Sequence, residues 1–238
     1  MIILGIESSA KVAAAAVWKD GQIAGEQMVN GTLTHSETLM PMIDRLLRSV
    51  EIQPEDLTAI ALSSGPGSFT GLRIGAATAK GLALGLGIPL APVSTLEALA
   101  FNAAPTDCLI VPMMDARRSQ VYTAVYAYEE GRLCEKEAPD ALSPTELANR
   151  LRAWKRPVLL LGDGARVYES IIREGLDCPA YLAEAHLRHA RAAAVAALGA
   201  RRYMEGKTVQ GSGLRLDYLR KPQAEREREE RMKKQVEA

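Results

Sequence analysis

The stretch Ser63-Ser64-Gly65-Pro66-Gly67-Ser68-Phe69-Thr70-Gly71-Leu72-Arg73-Ile74-Gly75 constrains the fold more than any other. An apolar run at 57–62 precedes it, and a small-residue, mostly apolar segment follows as far as Pro89. That order predicts a strand, a Gly-Pro-Gly turn and a long helix. Glycine permits positive φ and close backbone approach, and Pro66 fixes one dihedral of the turn. Free N–H groups at the start of the helix suit an anion. Between Leu72 and Gly87 the only polar side chains are Arg73, Thr78 and Lys80. Small residues recur four apart at Gly71, Gly75 and Ala79, and again at Gly81 and Gly85. Each glycine inside a helix costs about 1 kcal/mol relative to alanine, so something must compensate. Two readings supply it: a second helix packed backbone to backbone, or burial as an ordinary core helix. Arg73 and Lys80, without flanking topology signals, argue against a membrane span.

Around this stretch the chain reads as one α/β unit written twice. Residues 2–6 form a buried strand, 12–18 a second, Asp20-Gly21 a hairpin turn and 22–29 a third strand. Leu39, Ile43, Leu46, Leu47 and Val50 recur at helical spacing, so a helix begins near His35, with Pro41 in its first turns or bending it. Strand 57–62 and the glycine-rich helix complete a β-β-β-α-β-α unit, and Ser94-x-x-Glu97 caps a short helix to Ala100. The order then recurs. Strand 109–114 ends at Asp115, strands 121–128 and 132–137 flank Glu130-Gly131, and Ser143-Pro144 opens a helix through Trp154. Strand 158–161, the turn Gly162-Asp163-Gly164 and helix 165–174 complete it. Glu7 falls opposite Asp115, and Gly65-Pro66-Gly67 opposite Gly162-Asp163-Gly164, the pattern of an internal duplication. The expected division is a lobe at 1–104, a second at 105–222 ending in a long Ala/Arg-rich helix at 182–204, and a charged tail at 223–238. From Ala224 the tail carries five charges of each sign, a solvated helix or a segment ordered only by a partner.

Composition narrows the partners. At 238 residues with 47% hydrophobic side chains the chain has material for a real core, but only 5% are aromatic, so alanine and glycine must pack elements closely. Twenty-nine basic and 29 acidic residues balance, leaving no global drive toward nucleic acid; an RNA contact is local or made through a partner. Cys108, Cys134 and Cys178 make no C-x-x-C pair and are odd in number, as expected of reduced cytoplasmic thiols. Met1-Ile2-Ile3-Leu4 lacks a basic flank and is soon interrupted by Glu7, unlike a signal peptide, so a cytoplasmic protein is expected.

Two acids at equivalent strand ends, Glu7 and Asp115, suit a divalent metal and a triphosphate held between lobes, as in a phosphotransferase. Against this, Glu7 is longer than the usual Asp and no partner acid stands out. The turn also lacks a Gly-Lys-Ser/Thr phosphate loop, and Gly65-x-Gly67-x-x-x-Gly71 misses the dinucleotide spacing by one. Glu7, Gly65, Gly67 and Asp115 are therefore candidates for a vestigial nucleotide cleft. His186-x-x-His189 shares a helix face with no third ligand nearby, favouring an exposed pair over a zinc site. Ser64 lies in no Gly-x-Ser-x-Gly elbow and has no assignable His or Asp partner. Arg188, Arg191, Arg201 and Arg202 mix with Glu184 and Glu205, which reads as a solvated face more than an RNA surface.

The duplicated order resembles the actin/Hsp70/sugar-kinase (ASKHA, ribonuclease-H-like) superfamily. The motifs resemble more specifically the TsaB (YeaZ) family, the small paralogue of the TsaD enzymes. Ile6-Glu7-Ser8-Ser9, His35-Ser36-Glu37-x-Leu39-x-Pro41, the 64–75 stretch, Met114-Asp115-Ala116-Arg117-x-x-x-Val121-Tyr122 and Tyr218-Leu219-Arg220 carry the resemblance over nearly the whole chain. It implies a role in making N6-threonylcarbamoyladenosine in tRNA, where TsaD is the transferase, TsaE an ATPase and TsaB a non-catalytic partner. The implied partners are TsaD in a heterodimer, TsaE and tRNA through that complex, and a second copy in a homodimer; no cofactor is implied. The TsaD pattern places a metal-binding His-x-x-x-His after the glycine-rich helix. Here the stretch reads Val93-Ser94-Thr95-Leu96-Glu97-Ala98-Leu99, with Thr95 and Leu99 at the histidine positions, so neither metal ligands nor catalytic residues are expected. The resemblance also implies that the first-lobe helices meet TsaD, with Leu39, Met42, Leu46, Leu72, Gly75 and Lys80 as expected contacts. The alternative is an ASKHA-type nucleotide-binding phosphotransferase; a peptidase fails for want of a nucleophile or metal ligands.

Overall fold

The structure, a computed structural model, describes residues 1–220; the expected charged tail at 223–238 lies outside the described residues. The first unit runs β1 (Ile2–Glu7), β2 (Ala13–Lys19), β3 (Gln22–Val29), α1 (His35–Ser49), β4 (Ala59–Gly65), α2 (Phe69–Leu86), β5 (Leu90–Ser94) and α3 (Thr95–Ala100). The second runs β6 (Leu109–Asp115), β7 (Val121–Glu129), β8 (Arg132–Leu142), α4 (Pro144–Arg152), β9 (Val158–Leu161), α5 (Asp163–Glu174) and β10 (Ala180–Leu182), and α6 (Ala192–Met204) follows. The sheets have the orders β3-β2-β1-β4-β5 and β8-β7-β6-β9-β10, so the duplication is one of topology as well as pattern. In each, three antiparallel strands lead into two parallel ones, as hairpins followed by helical crossovers require.

Two features depart from the sequence reading. Residues 90–94 and 180–182 are strands that extend each sheet by one edge, both too short to carry a periodic signal. The helix expected at 182–204 begins only at Ala192. Pairing with β9 holds Ala180–Leu182 extended, and Glu26 in β3 captures Arg191, with Nε donating to its carboxylate at 3.0 Å. The same carboxylate accepts the Ala193 N–H at 2.9 Å, capping α6 from another strand. Tertiary contacts override the high helix propensity of 183–191.

The lobes are joined by helices. α1 and α2 cover one face of the first sheet through Leu39, Met42, Ile43 and Leu46, packed on Leu4, Ile6, Ile60 and Leu62. α4 and α5 cover one face of the second sheet in the same way. On the opposite face of the first sheet lies α6, with Val195 and Leu198 packed on Ile3, Ala59 and Ala61. A Cβ placed on Gly5 would lie 2.7 Å from the Ala196 Cβ, and one on Gly199 would overlap Ala61. These small residues let helix and sheet approach closely, which is how a core so poor in rings is filled. α3 meanwhile lies against the second sheet, its Leu96 and Leu99 among Ile110, Met114 and Tyr126. α6 and α3 thus join the two lobes, each covering part of the other lobe's sheet.

Candidate functional site

β1 delivers Glu7 to the lobe junction, but with no exposed surface. Its carboxylate accepts the Ser9 N–H at 2.6 Å and both the Ser9 and Ser63 hydroxyls. Burial pushes the carboxyl above its ordinary range, while these hydrogen bonds and the nearby His35 pull it partly back. Glu7 thus ties the end of β1 to the end of β4, and no cleft is open to it.

The loop after β1 is bound to the first turns of α2. Ser8 Oγ donates to the Gly71 carbonyl at 2.9 Å, the Ser68 N–H donates to the Ser9 carbonyl at 2.6 Å, and His35 Nε2 donates to the Ala10 carbonyl at 2.8 Å. A Cβ on Gly71 would overlap the Ser8 carbonyl, and one on Gly75 the Ser8 hydroxyl. The first half of the glycine stripe therefore receives its own loop. The expected contact set is corrected accordingly. Leu39, Met42, Leu46 and Leu72 are in the core of their own lobe and Gly75 is closed by Ser8; of the six, only Lys80 is exposed.

The outward face of α2 carries other residues: Thr70, Arg73, Ala77, Lys80, Gly81, Leu84 and Gly85 are exposed. Leu84 is 86% exposed, and a Cβ on Gly81 or Gly85 would meet nothing within 4 Å. This is a shallow strip of small side chains with a leucine at one end and an arginine at the other. On α1, Met40 is exposed at 45% next to the exposed Pro41, with Leu33 just before the helix at 64%.

Between the lobes lies a cleft of about 670 Å³, bounded by the loops after β1 and β6, the starts of α2 and α5, and residues 217–220. Of the four residues expected to form a nucleotide cleft, Gly67 and Asp115 line it, Glu7 is sealed beneath it, and Gly65 is covered by the Asp217 carbonyl. Asp115 is half exposed, accepts the Arg117 N–H at 2.8 Å and presents its own N–H to Asp163 Oδ1 at 3.2 Å. Asp163 and Asp217, which also line the cleft, were not singled out from sequence. The signal for Asp163 was its place in the turn that repeats Gly65-Pro66-Gly67. Among the described residues no three His, Cys, Asp or Glu side chains group as a metal site. Thr95 and Leu99 are buried in α3 within the apolar layer of the junction. His186 and His189 lie in the turn before α6, so the expected shared helix face is corrected. No helix of the described residues is long and apolar enough to cross a membrane.

Comparison with known proteins gives a consistent picture. The family model described as TsaD, tRNA N6-adenosine threonylcarbamoyltransferase, matches residues 31–227. The tRNA threonylcarbamoyladenosine biosynthesis protein TsaB of Bacillus subtilis is 36% identical over 226 residues, covering 94% of this chain and 96% of the relative. Among solved structures, YeaZ from Pseudomonas aeruginosa superposes with a TM-score of 0.78 at 26% identity, over 92% of this chain and 99% of that one. The ROK hexokinase of Thermus thermophilus, at 14% identity and a TM-score of 0.50 over 84% of this chain and 99% of that one, shares the fold alone.

Proposed function

The chain belongs to the TsaB (YeaZ) family, and from that premise we propose that it is the non-catalytic scaffold and activating subunit of tRNA threonylcarbamoyladenosine synthesis. It works in the cytoplasm, binds the TsaD transferase as a heterodimer, and meets TsaE and tRNA through that complex. A homodimer through the same surface is the state without TsaD.

The outward strip of α2 carries this reading. An exposed helix face built from Ala77, Gly81 and Gly85 with Leu84 admits a second helix at close range, the arrangement that repays the helical cost of the glycines. Arg73 and Lys80 at its edges supply orientation. The non-catalytic part is supported by Thr95 and Leu99. A buried threonine and a leucine offer no imidazole where the transferase pattern has its histidines, and neither side chain reaches the cleft.

The test is light scattering of the chain alone and mixed with its cognate TsaD, using Leu84→Asp and Ala77→Glu. Both positions are exposed, so the fold should persist while the close helix contact is lost. A complex for the native chain and none, or one weakened at least about 100-fold, for the variants is the expected outcome. Normal binding by both variants would remove α2 as the docking surface. No complex for the native chain would remove the scaffold reading.

A further inference from the structure

Three segments that mark the family in sequence meet at one place: Phe69 and Arg73 of α2, Ala116 after β6, and Tyr218 and Arg220 near the end of the described chain. Docking on the outward face of α2 gives no reason for this meeting. We propose that residues 214–220 are an interlobe clasp, a strap that belongs to the first lobe and closes the cleft by fastening onto the second through Arg220.

The strap is fixed to the first lobe by contacts of different kinds. Leu214 is buried in the core under α1 and α2, with Leu216 packed against it. The Asp217 N–H donates to the Ser64 carbonyl at 2.7 Å. The Asp217 carbonyl occupies the space a side chain on Gly65 would need, and Gly65 holds a φ of +125° that favours glycine there. The Tyr218 ring lies 5.1 Å from that of Phe69, tilted by 41°, and the Arg73 guanidinium lies 3.8 Å above the centre of Phe69 while its Nε donates to the Tyr218 hydroxyl at 3.4 Å.

Among the described residues, the strap's hydrogen bond to the second lobe comes from Arg220. Arg220 Nη1 donates to the Ala116 carbonyl at 3.0 Å. Ala116 is held in place by its own N–H, bonded to the Gln120 carbonyl at 3.0 Å across a turn in which Arg117, Arg118 and Ser119 all have positive φ. A buried leucine, a backbone hydrogen bond and an aromatic–guanidinium stack together outweigh one side-chain hydrogen bond. A widening of the cleft about the helices that join the lobes would therefore break the Arg220 contact before those to the first lobe, and the strap would stay with the first lobe. Residues 217–220 line the cleft, so this contact sets how far it opens. Arg73 also stands on the outward face of α2, so occupancy of that face would be felt at the clasp. This last link rests on the function proposed above; the clasp itself does not, and its test uses the chain alone.

Spin labels at Gln22 and Glu130, in the full chain with its three cysteines changed to serine, report the separation of the lobes, and amide exchange at Asp217 reports the strap. Arg220→Ala should move the label distances outward while the Asp217 amide stays as protected as in the native chain, and Arg220→Lys, which keeps a donor, should largely restore them. Tyr218→Ala should instead speed Asp217 exchange by about tenfold. Unchanged distances in Arg220→Ala would overturn the clasp. Longer distances accompanied by the exchange rate of Tyr218→Ala would overturn its assignment to the first lobe.

Discussion

Strand alternation explains where Glu7 points. Ile3, Gly5 and Glu7 share one face of β1, the face covered by α6, while Leu4 and Ile6 face α1 and α2. The sequence marks an acid at a strand end, and the period of two marks its side of the sheet. Neither reveals that Ser9 and Ser63 will close over it, since those hydroxyls arrive from a loop and a parallel strand. The buried carboxyl has a sign that can be tested. Burial, the main cause, raises its folded value above the ordinary 4.5. The folded chain then holds the Glu7 proton more tightly than the unfolded chain. Its contribution to stability is fully present below pH 4.5 and is lost as pH rises through the folded value. Glu7→Gln keeps an oxygen acceptor and removes the titration. Thermal melts across pH 4 to 8 should show the native chain losing ground to this variant as pH rises. Glu7→Ala, which strands the Ser9 and Ser63 donors, should cost about 1–3 kcal/mol at low pH, and the cost should shrink as pH rises because this variant also lacks the titration. A native-minus-Gln difference that does not change with pH would place the titration elsewhere.

At the scale of one helix, α2 separates two sets of glycines that look alike in sequence. Gly75 and Gly81 are six residues apart, which at 3.6 residues per turn turns them about 120° from each other. That much is legible from spacing. Which face turns inward is marked only by Thr70, Arg73 and Lys80 on the solvent side, since glycine and alanine occupy both faces. The loop after β1 decides it, through Ser8 against Gly71 and Gly75. Alanine substitution should therefore have opposite signs at the two positions. Gly75→Ala places a methyl on the Ser8 hydroxyl and should destabilise by about 1–3 kcal/mol. Gly81→Ala adds a methyl in open space and should stabilise the isolated chain by about 1 kcal/mol. Urea denaturation of both variants measures the pair, and equal shifts of the same sign would contradict the assigned faces. A larger side chain such as Gly75→Leu would disturb the lobe before it tested any partner.

At the scale of the molecule, the duplication was readable because each strand, turn and helix of one unit has a counterpart in the other. The junction was not, because α6 follows the second unit in the chain and its alanines do not say which sheet they will cover. Only the small residues it meets, Gly5 and Ala61, hint at a close neighbour, and they lie far away in sequence. Its return makes the first sheet depend on residues beyond 190, and α3 makes the second sheet depend on residues before 105. Two lobes joined in this way should unfold together. The two tryptophans are placed to report it: Trp18 is half-buried against α6 in the first lobe. Trp154 packs on the second core, its Nε1 donating to Glu137 at 2.7 Å. In urea, the fluorescence transitions of Trp154→Phe, which retains Trp18, and of Trp18→Phe, which retains Trp154, are each compared with the circular dichroism transition of the same variant. Coincidence in both is expected of a single cooperative unit. If Trp18 instead loses its native signal at a lower urea concentration than the bulk of the secondary structure, α6 does not bind the lobes into one body, and the first lobe melts with the second still folded.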